Sequence, residues 1–227
     1  AQELYALFQD SGYIIIKGLE EFAQKSGDAS KAIFMQKEGG DMYSLPYAIN
    51  RKEDDLTLTQ ITESAIQFLS KDNKDGFFLM VEGGKIDWAC HNNDAATVFD
   101  EVKDMSDAVQ KAIDFYNQHP DETLIVITAD HETGGIALGT GRYELNLKIL
   151  QHQNMAMEAL TKKVKELRKE NNNKVSWDKI EGLLKENLGF WAEVPLKEDQ
   201  EKSLKDVYKK SFTGGEVELQ KSLYASH

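Results

Sequence analysis

The sequence predicts an α/β fold, a mainly parallel sheet flanked by helices with a helical insertion or cap, and two observations carry that expectation. Residues 13–16, 32–35, 77–81 and 124–127 are short runs that are apolar at every position, which suits strands covered on both faces, as in a parallel sheet. Between them lie longer segments whose apolar residues recur every three or four positions, so strand, helix and strand alternate as crossover connections require.

Each element follows from its residues. Residues 3–9 read as the end of a helix stopped by Ser11-Gly12, and residues 13–16 and 32–35 follow as strands. Thr57 and Gln60 have the spacing of a capping box, and Leu58, Ile61, Ala65 and Phe68 repeat behind them at helical spacing. The turn at 74–76 leads into Phe77-Phe78-Leu79-Met80-Val81, the strongest strand pattern in the chain. Val98, Val102, Met105, Val109, Ala112 and Tyr116 then mark a long helix ended by His119-Pro120, and residues 124–127 form a further buried strand. From Gly141 the pattern changes. Met157, Leu160, Val164 and Leu167 form one helical stripe, Ile180, Leu183 and Leu184 begin another after Ser176, and residues 204–208 suggest a third. The organisation expected is a partial α/β domain over 1–140 and a helical insertion or cap over 141–227.

With 227 residues, the chain can bury a sizeable core. Its net charge of −12 argues against a nucleic-acid partner, which would demand a basic face. The same charge does little to attract a phosphorylated substrate, so a phosphate site would need local positive charge, for which bound metal is the obvious source. No apolar stretch is long enough to span a bilayer, and no basic, hydrophobic leader stands at Ala1, as would also hold for a processed or truncated chain. Cys90 is the single cysteine, which excludes an internal disulfide. Beside a histidine it could be ligand or nucleophile, but a semi-buried small residue is the preferred reading.

Metal-ligand side chains cluster where two of the expected strands end, the place where open parallel sheets do their chemistry. The first run is Val81-Glu82-Gly83-Gly84-Lys85-Ile86-Asp87, with His91 after it. Asp87 and His91 are four apart, so one helical turn puts carboxylate and imidazole on the same side. Gly83 and Gly84 are expected to let the backbone turn sharply, presenting Glu82 at the strand tip. The second run ends in Asp130-His131, adjacent residues that can reach one ion from a tight turn. Oxygen and nitrogen ligands without thiolate suit zinc, with manganese or iron as substitutes, and Glu82 suits magnesium. His119 reads as a solvated helix-end residue, His152 as exposed and His227 as a disordered terminus. Trp177 and Trp191 read as packing, and the lysines of 162–169 as a solvated helix face.

At these residues the sequence resembles the alkaline phosphatase family. The run from Phe77 to Asp87, with His91, is similar to that family's strand-and-turn motif. Residues 124–131 are similar to its second motif, and Glu132-Thr133-Gly134-Gly135 to a continuation found in bacterial members. Residues 56–62 match as well, and the resemblance runs over about 11–138. It implies an alkaline-phosphatase-like α/β fold in which Asp87 and His91 ligate one zinc ion, Asp130 and His131 a second, and Glu82 a magnesium ion. It also implies phosphate monoester substrates, a homodimeric full enzyme, and a periplasmic or extracellular location. The implied reaction is attack by a serine or threonine on phosphorus, then hydrolysis of the phosphoryl-enzyme, with the two ions stabilising the entering and leaving oxygens.

Three parts of the family pattern have no counterpart here. There is no Asp-Ser-Ala nucleophile motif; Arg51, Arg142 and Arg168 do not match the phosphate clamp; and His227 follows Ala225-Ser226 rather than a Gly-His-Thr motif. Trp88 also stands where some members have a basic residue. The expectation is a fragment with incomplete metal sites that is inactive alone, although Thr128 or Thr133 could stand in as nucleophile. A phosphomutase or sulfatase-like relative and a non-catalytic interaction module are the competing readings.

Overall fold

The computed structural model describes residues 2–37, 44–135 and 146–212. The expected domain boundary at 140/141, Arg142 and His227 lie outside them. The chain forms two compact units, residues 1–83 with 101–129 and residues 84–100 with 130–227.

In the first unit, helix α1 (Gln2–Asp10), strand β1 (Ile14–Lys17), helix α2 (Gly18–Lys25) and strand β2 (Ala32–Met35) follow in order. The strands pair in parallel, Ile14 opposite Ala32 and Lys17 opposite Met35. Ile16 is fully buried, and the Phe22 ring of α2 packs at 5.0 Å on Phe34 of β2. This βαβ arrangement is what the apolar runs predict. Helix α3 (Leu58–Ser70) begins with the expected capping box, in which Thr57 Oγ1 accepts from the Gln60 amide and Gln60 Oε1 from the Thr57 amide, both at 3.0 Å. Such a cap contributes about 1 kcal/mol.

The two motif strands are the main correction. Among the described residues the sheet has only β1 and β2, and residues 77–81 and 124–128 form no ladder. One side of each run faces inward, with Phe77 edge-on to Phe115 at 5.6 Å. The other side is open, Phe78 being 87% and Leu124 86% exposed, with Met80, Val126 and Ile127 also exposed. A run apolar at every position needs cover on both faces, and the described residues cover one.

Helices α4 (Gly84–His91) and α5 (Ala95–Gln118) come next in the chain. The stripe expected to bury α5 does so only at Val98, while Val102 and Tyr116 are exposed. The buried face instead carries Thr97, Glu101, Asp104 and Ala108, continuing from Asp94 just before the helix. The carboxylates are buried because donors meet them. Glu101 accepts the Ala48 amide at 2.6 Å, and Asp104 takes both terminal nitrogens of Arg51, at 3.0 and 2.7 Å. Arg51 is thus committed to a buried ion pair.

In the second unit, α6 (Met157–Glu170), α7 (Trp177–Leu188) and α8 (Glu198–Phe212) enclose one core, with Leu160, Ile180, Leu184, Phe190 and Leu204 at its centre. The expected stripes of 157–167 and 180–184 make this core, and Lys162, Lys163, Lys165 and Lys169 are solvated. Trp177 packs edge-on against Trp191 and Tyr208, as packing residues should. His152, expected to be exposed, is half-buried. The cause is Gly189, which ends α7 at φ 70° and whose absent Cβ would lie 2.7 Å from the His152 Cβ. Any side chain there would be strained by its backbone and would displace the histidine. We expect Ile180→Ala to cost about 2–5 kcal/mol in urea unfolding. Leu124→Ser, on the open side of its run, should stay within about 0.5 kcal/mol of the parent.

Candidate metal centre

The first motif is held by the short helix α4. His91 is its last residue, and Asn93 then takes left-handed backbone at φ 51°, letting the amides of Asn93 and Asp94 bond the carbonyls of Cys90 and Ala89. This is the usual asparagine alternative to glycine at a helix C-terminus. The single turn between Asp87 and His91 brings Oδ1 and Nε2 to 3.4 Å, with both side chains open to solvent. The expected role of Gly83 and Gly84 differs. Neither has positive φ; the left-handed glycines of the motifs are Gly134 at 79° and Gly135 at 71°.

Those two glycines follow Thr133, whose hydroxyl donates to Asp87 Oδ1 at 2.8 Å. The second motif therefore touches the first through a residue that sequence reasoning treated only as a stand-in nucleophile. Thr133 lies 46 positions from Asp87, and no sequence spacing links them. Thr128, the other stand-in, donates its hydroxyl to the Ala129 carbonyl.

Asp130 and His131 hold each other. Asp130 Oδ1 accepts the His131 amide at 3.0 Å, and Oδ2 lies 3.5 Å from His131 Nε2. His131 Nδ1 sits 2.9 Å from the Glu132 carbonyl, so the tautomer with a proton on Nδ1 makes that bond and leaves Nε2 as the lone-pair donor. The Glu132 carbonyl, and after it the Asp130 carboxylate, raise the His131 pKa, with Asp87 adding to the effect. Cys90 is half-buried, and burial followed by the Asp87 charge pushes its thiol up. That keeps it protonated and a poor ligand or nucleophile.

The donor set therefore fits zinc in kind. Two carboxylate–imidazole pairs are present in one unit, one pair oriented by a hydroxyl and the other by a backbone carbonyl. It does not form a closed cage, since no three His, Cys, Asp or Glu side chains converge to hold an ion among the described residues. Glu82 is exposed and belongs to the first unit, whereas the other four belong to the second. His119 is exposed, stacked on Phe115 at 4.6 Å just beyond α5.

A parallel βαβ unit accompanied by helices defines a chain of the α/β class. The sequence matches the alkaline phosphatase family over residues 1–211, and the chain belongs to that family. It is 40% identical to alkaline phosphatase 3 of Bacillus subtilis over 132 residues, 58% of this chain and 27% of that protein. With alkaline phosphatase 4 of the same organism it shares 35% over 160 residues, 70% of this chain and 33% of that one. The structure is similar to a cold-active alkaline phosphatase from a Shewanella species, with TM-score 0.74 and 27% identity, over 99% of this chain and 50% of the other. The chain thus spans half of that solved relative, and its matches cover about a third or less of the curated ones. The expected fold class holds, and no described helix is long and apolar enough to cross a membrane.

Because its folded-state pKa is raised, protonated His131 contributes stability that is fully present below the unfolded-state pKa and lost as pH rises through the folded value. An NMR titration should place the His131 midpoint above the ordinary histidine value, and Asp130→Asn should lower it.

Proposed function

We propose that the chain carries the metal-motif part of an alkaline phosphatase, an enzyme that hydrolyses phosphate monoesters through two zinc ions and one magnesium ion. The observation that carries this is the Asp87–His91 pair with the Thr133 hydroxyl on Asp87, in a chain of this family. Asp87 and His91 would hold one zinc ion, Asp130 and His131 the other, and Glu82 the magnesium. When bound, the ions supply positive charge to the phosphoryl oxygens in an otherwise acidic protein.

This chain's own residues orient those ligands. Thr133 donates to Oδ1 of Asp87, which orients the carboxylate. The Glu132 carbonyl holds His131 Nδ1, so that Nε2, 3.5 Å from Asp130 Oδ2, would be the nitrogen offered to a metal ion. The full enzyme is a homodimer in this reading, periplasmic or extracellular.

Both stand-in hydroxyls are already engaged. Thr133 donates to Asp87 and Thr128 to its neighbour's carbonyl, and Arg51, the one strongly held arginine in the first unit, is spent on Asp104. Positioned metal without an in-line nucleophile and a clamp lacks most of what accelerates phosphoryl transfer. The chain alone, given zinc and magnesium, should therefore turn over a chromogenic phosphomonoester no faster than a metal-stripped control. Turnover that vanishes in the Asp130→Ala/His131→Ala variant would overturn this inactivity while keeping the phosphatase assignment. Turnover of a sulfate ester or phosphate transfer between sugars would overturn the substrate class, and failure to bind zinc at all would favour a non-catalytic module.

Zinc binding should be weak, readily stripped by a chelator, because two protein ligands leave the remaining positions to water. Removing a hydroxyl that orients a ligand costs about 10-fold or more in affinity. Thr133→Val should therefore weaken zinc binding by about that factor in a competition titration, with little change in thermal stability.

A further inference from the structure

Asp94 is 3% exposed, and among the described residues the groups that bond its carboxylate are uncharged. Its Oδ1 accepts from Gln153 Nε2 at 2.6 Å and, more distantly, from the Thr97 amide at 3.4 Å. Its Oδ2 accepts from Thr97 Oγ1 at 2.8 Å and from the Met157 amide at 2.7 Å. Thr97 is fully buried. A buried carboxylate with no cation costs several kcal/mol unless something else supplies positive potential. Here two helix starts supply it. Asp94 immediately precedes α5, and Met157 is the first residue of α6, whose own preceding residue, Ala156, offers no side-chain cap. Each helix start has unpaired amides and the positive end of a dipole, and one carboxylate serves both.

The backbone of Asp94 has a third attachment. Its amide donates to the Ala89 carbonyl at 3.0 Å, closing the C-terminal turn of α4, and Ala89 is itself 1% exposed. Asp94 thus joins the end of the helix that carries Asp87 and His91 to the start of the helical core, within one unit.

We propose that Asp94 is a positioning residue, a latch through which the 153–157 segment and α6 hold α4 and so fix where His91 stands. The helical region is then part of the motif's support. The consequence for zinc rests on the metal reading above, whereas the consequence for α4 does not.

The test measures amide hydrogen exchange and zinc affinity by chelator competition on the full chain and on Asp94→Asn, Asp94→Ala and Gln153→Ala. Asp94→Ala should speed exchange about tenfold or more at Asn92 and Asp94, whose amides close α4, and at Met157, while the Leu184 amide in α7 keeps its protection. Zinc affinity should fall by about tenfold. Asp94→Asn keeps one acceptor oxygen and loses the charge, so it should fall between. Gln153→Ala keeps the doubly capping carboxylate and should give the smallest change in the same direction.

Faster exchange at Met157 with α4 unchanged would overturn the latch, whereas faster exchange in α4 with zinc affinity intact would overturn only its consequence for the metal. If the parent chain takes up no zinc, the metal reading fails, and exchange at Asn92 alone decides the latch. If Asp94→Ala does not fold, the graded order of Asp94→Asn and Gln153→Ala decides it, and equal exchange in those two and the parent would overturn it.

Discussion

A carboxylate can leave water only if donors go with it, and this constraint operates within each unit. Asp94 in the second unit and Glu101 and Asp104 in the first are each buried. Each gathers segments distant in sequence: residue 48 onto Glu101, residues 51 and 58 onto Asp104, residues 153 and 157 onto Asp94. Apolar contact alone would let these segments slide. Directed bonds to fixed oxygens do not, because a misplaced donor strands a buried charge. The second unit adds an ordinary hydrophobic core of three helices around Ile180 and Leu184, which supplies bulk stability while the carboxylates supply register.

The sequence was most legible where local chemistry decides the outcome. The Thr57–Gln60 box, the paired runs of β1 and β2, and the stripes of α6 and α7 depend on neighbours a few positions away. It was least legible where a distant partner decides. The apolar stripe read along α5 misses the face actually buried, because acidic residues on a helix look solvated until their donors are known. Residues 77–81 and 124–127 have the composition of buried strands, yet what covers them is not encoded in the runs themselves.

The candidate site divides in the same way. The turn that brings His91 to Asp87 follows from helical periodicity, and the adjacency of Asp130 and His131 is written in the chain. The Thr133 bond to Asp87 and the anchoring of α4 through Asp94 are tertiary, and no spacing announces them. Glycine gave a mixed signal. The Gly83-Gly84 pair suggests the sharp turn, but the left-handed turn lies at Gly134-Gly135, beside the hydroxyl that ties the two motifs together.

The open side of residues 77–81 and 124–128 also bears on how the protein behaves as a colloid. Phe78, Met80, Leu124 and Val126 present apolar side chains from runs that no strand among the described residues pairs, the combination that lets one molecule's backbone template another's. What opposes such stacking at neutral pH is mutual repulsion between molecules that each carry a net charge of −12. That repulsion reaches only about 8 Å at physiological ionic strength and shrinks further in concentrated salt. Dispersed molecules are therefore favoured by dilute buffer at neutral or higher pH. Added salt or acid removes the barrier while leaving the sticky surface untouched.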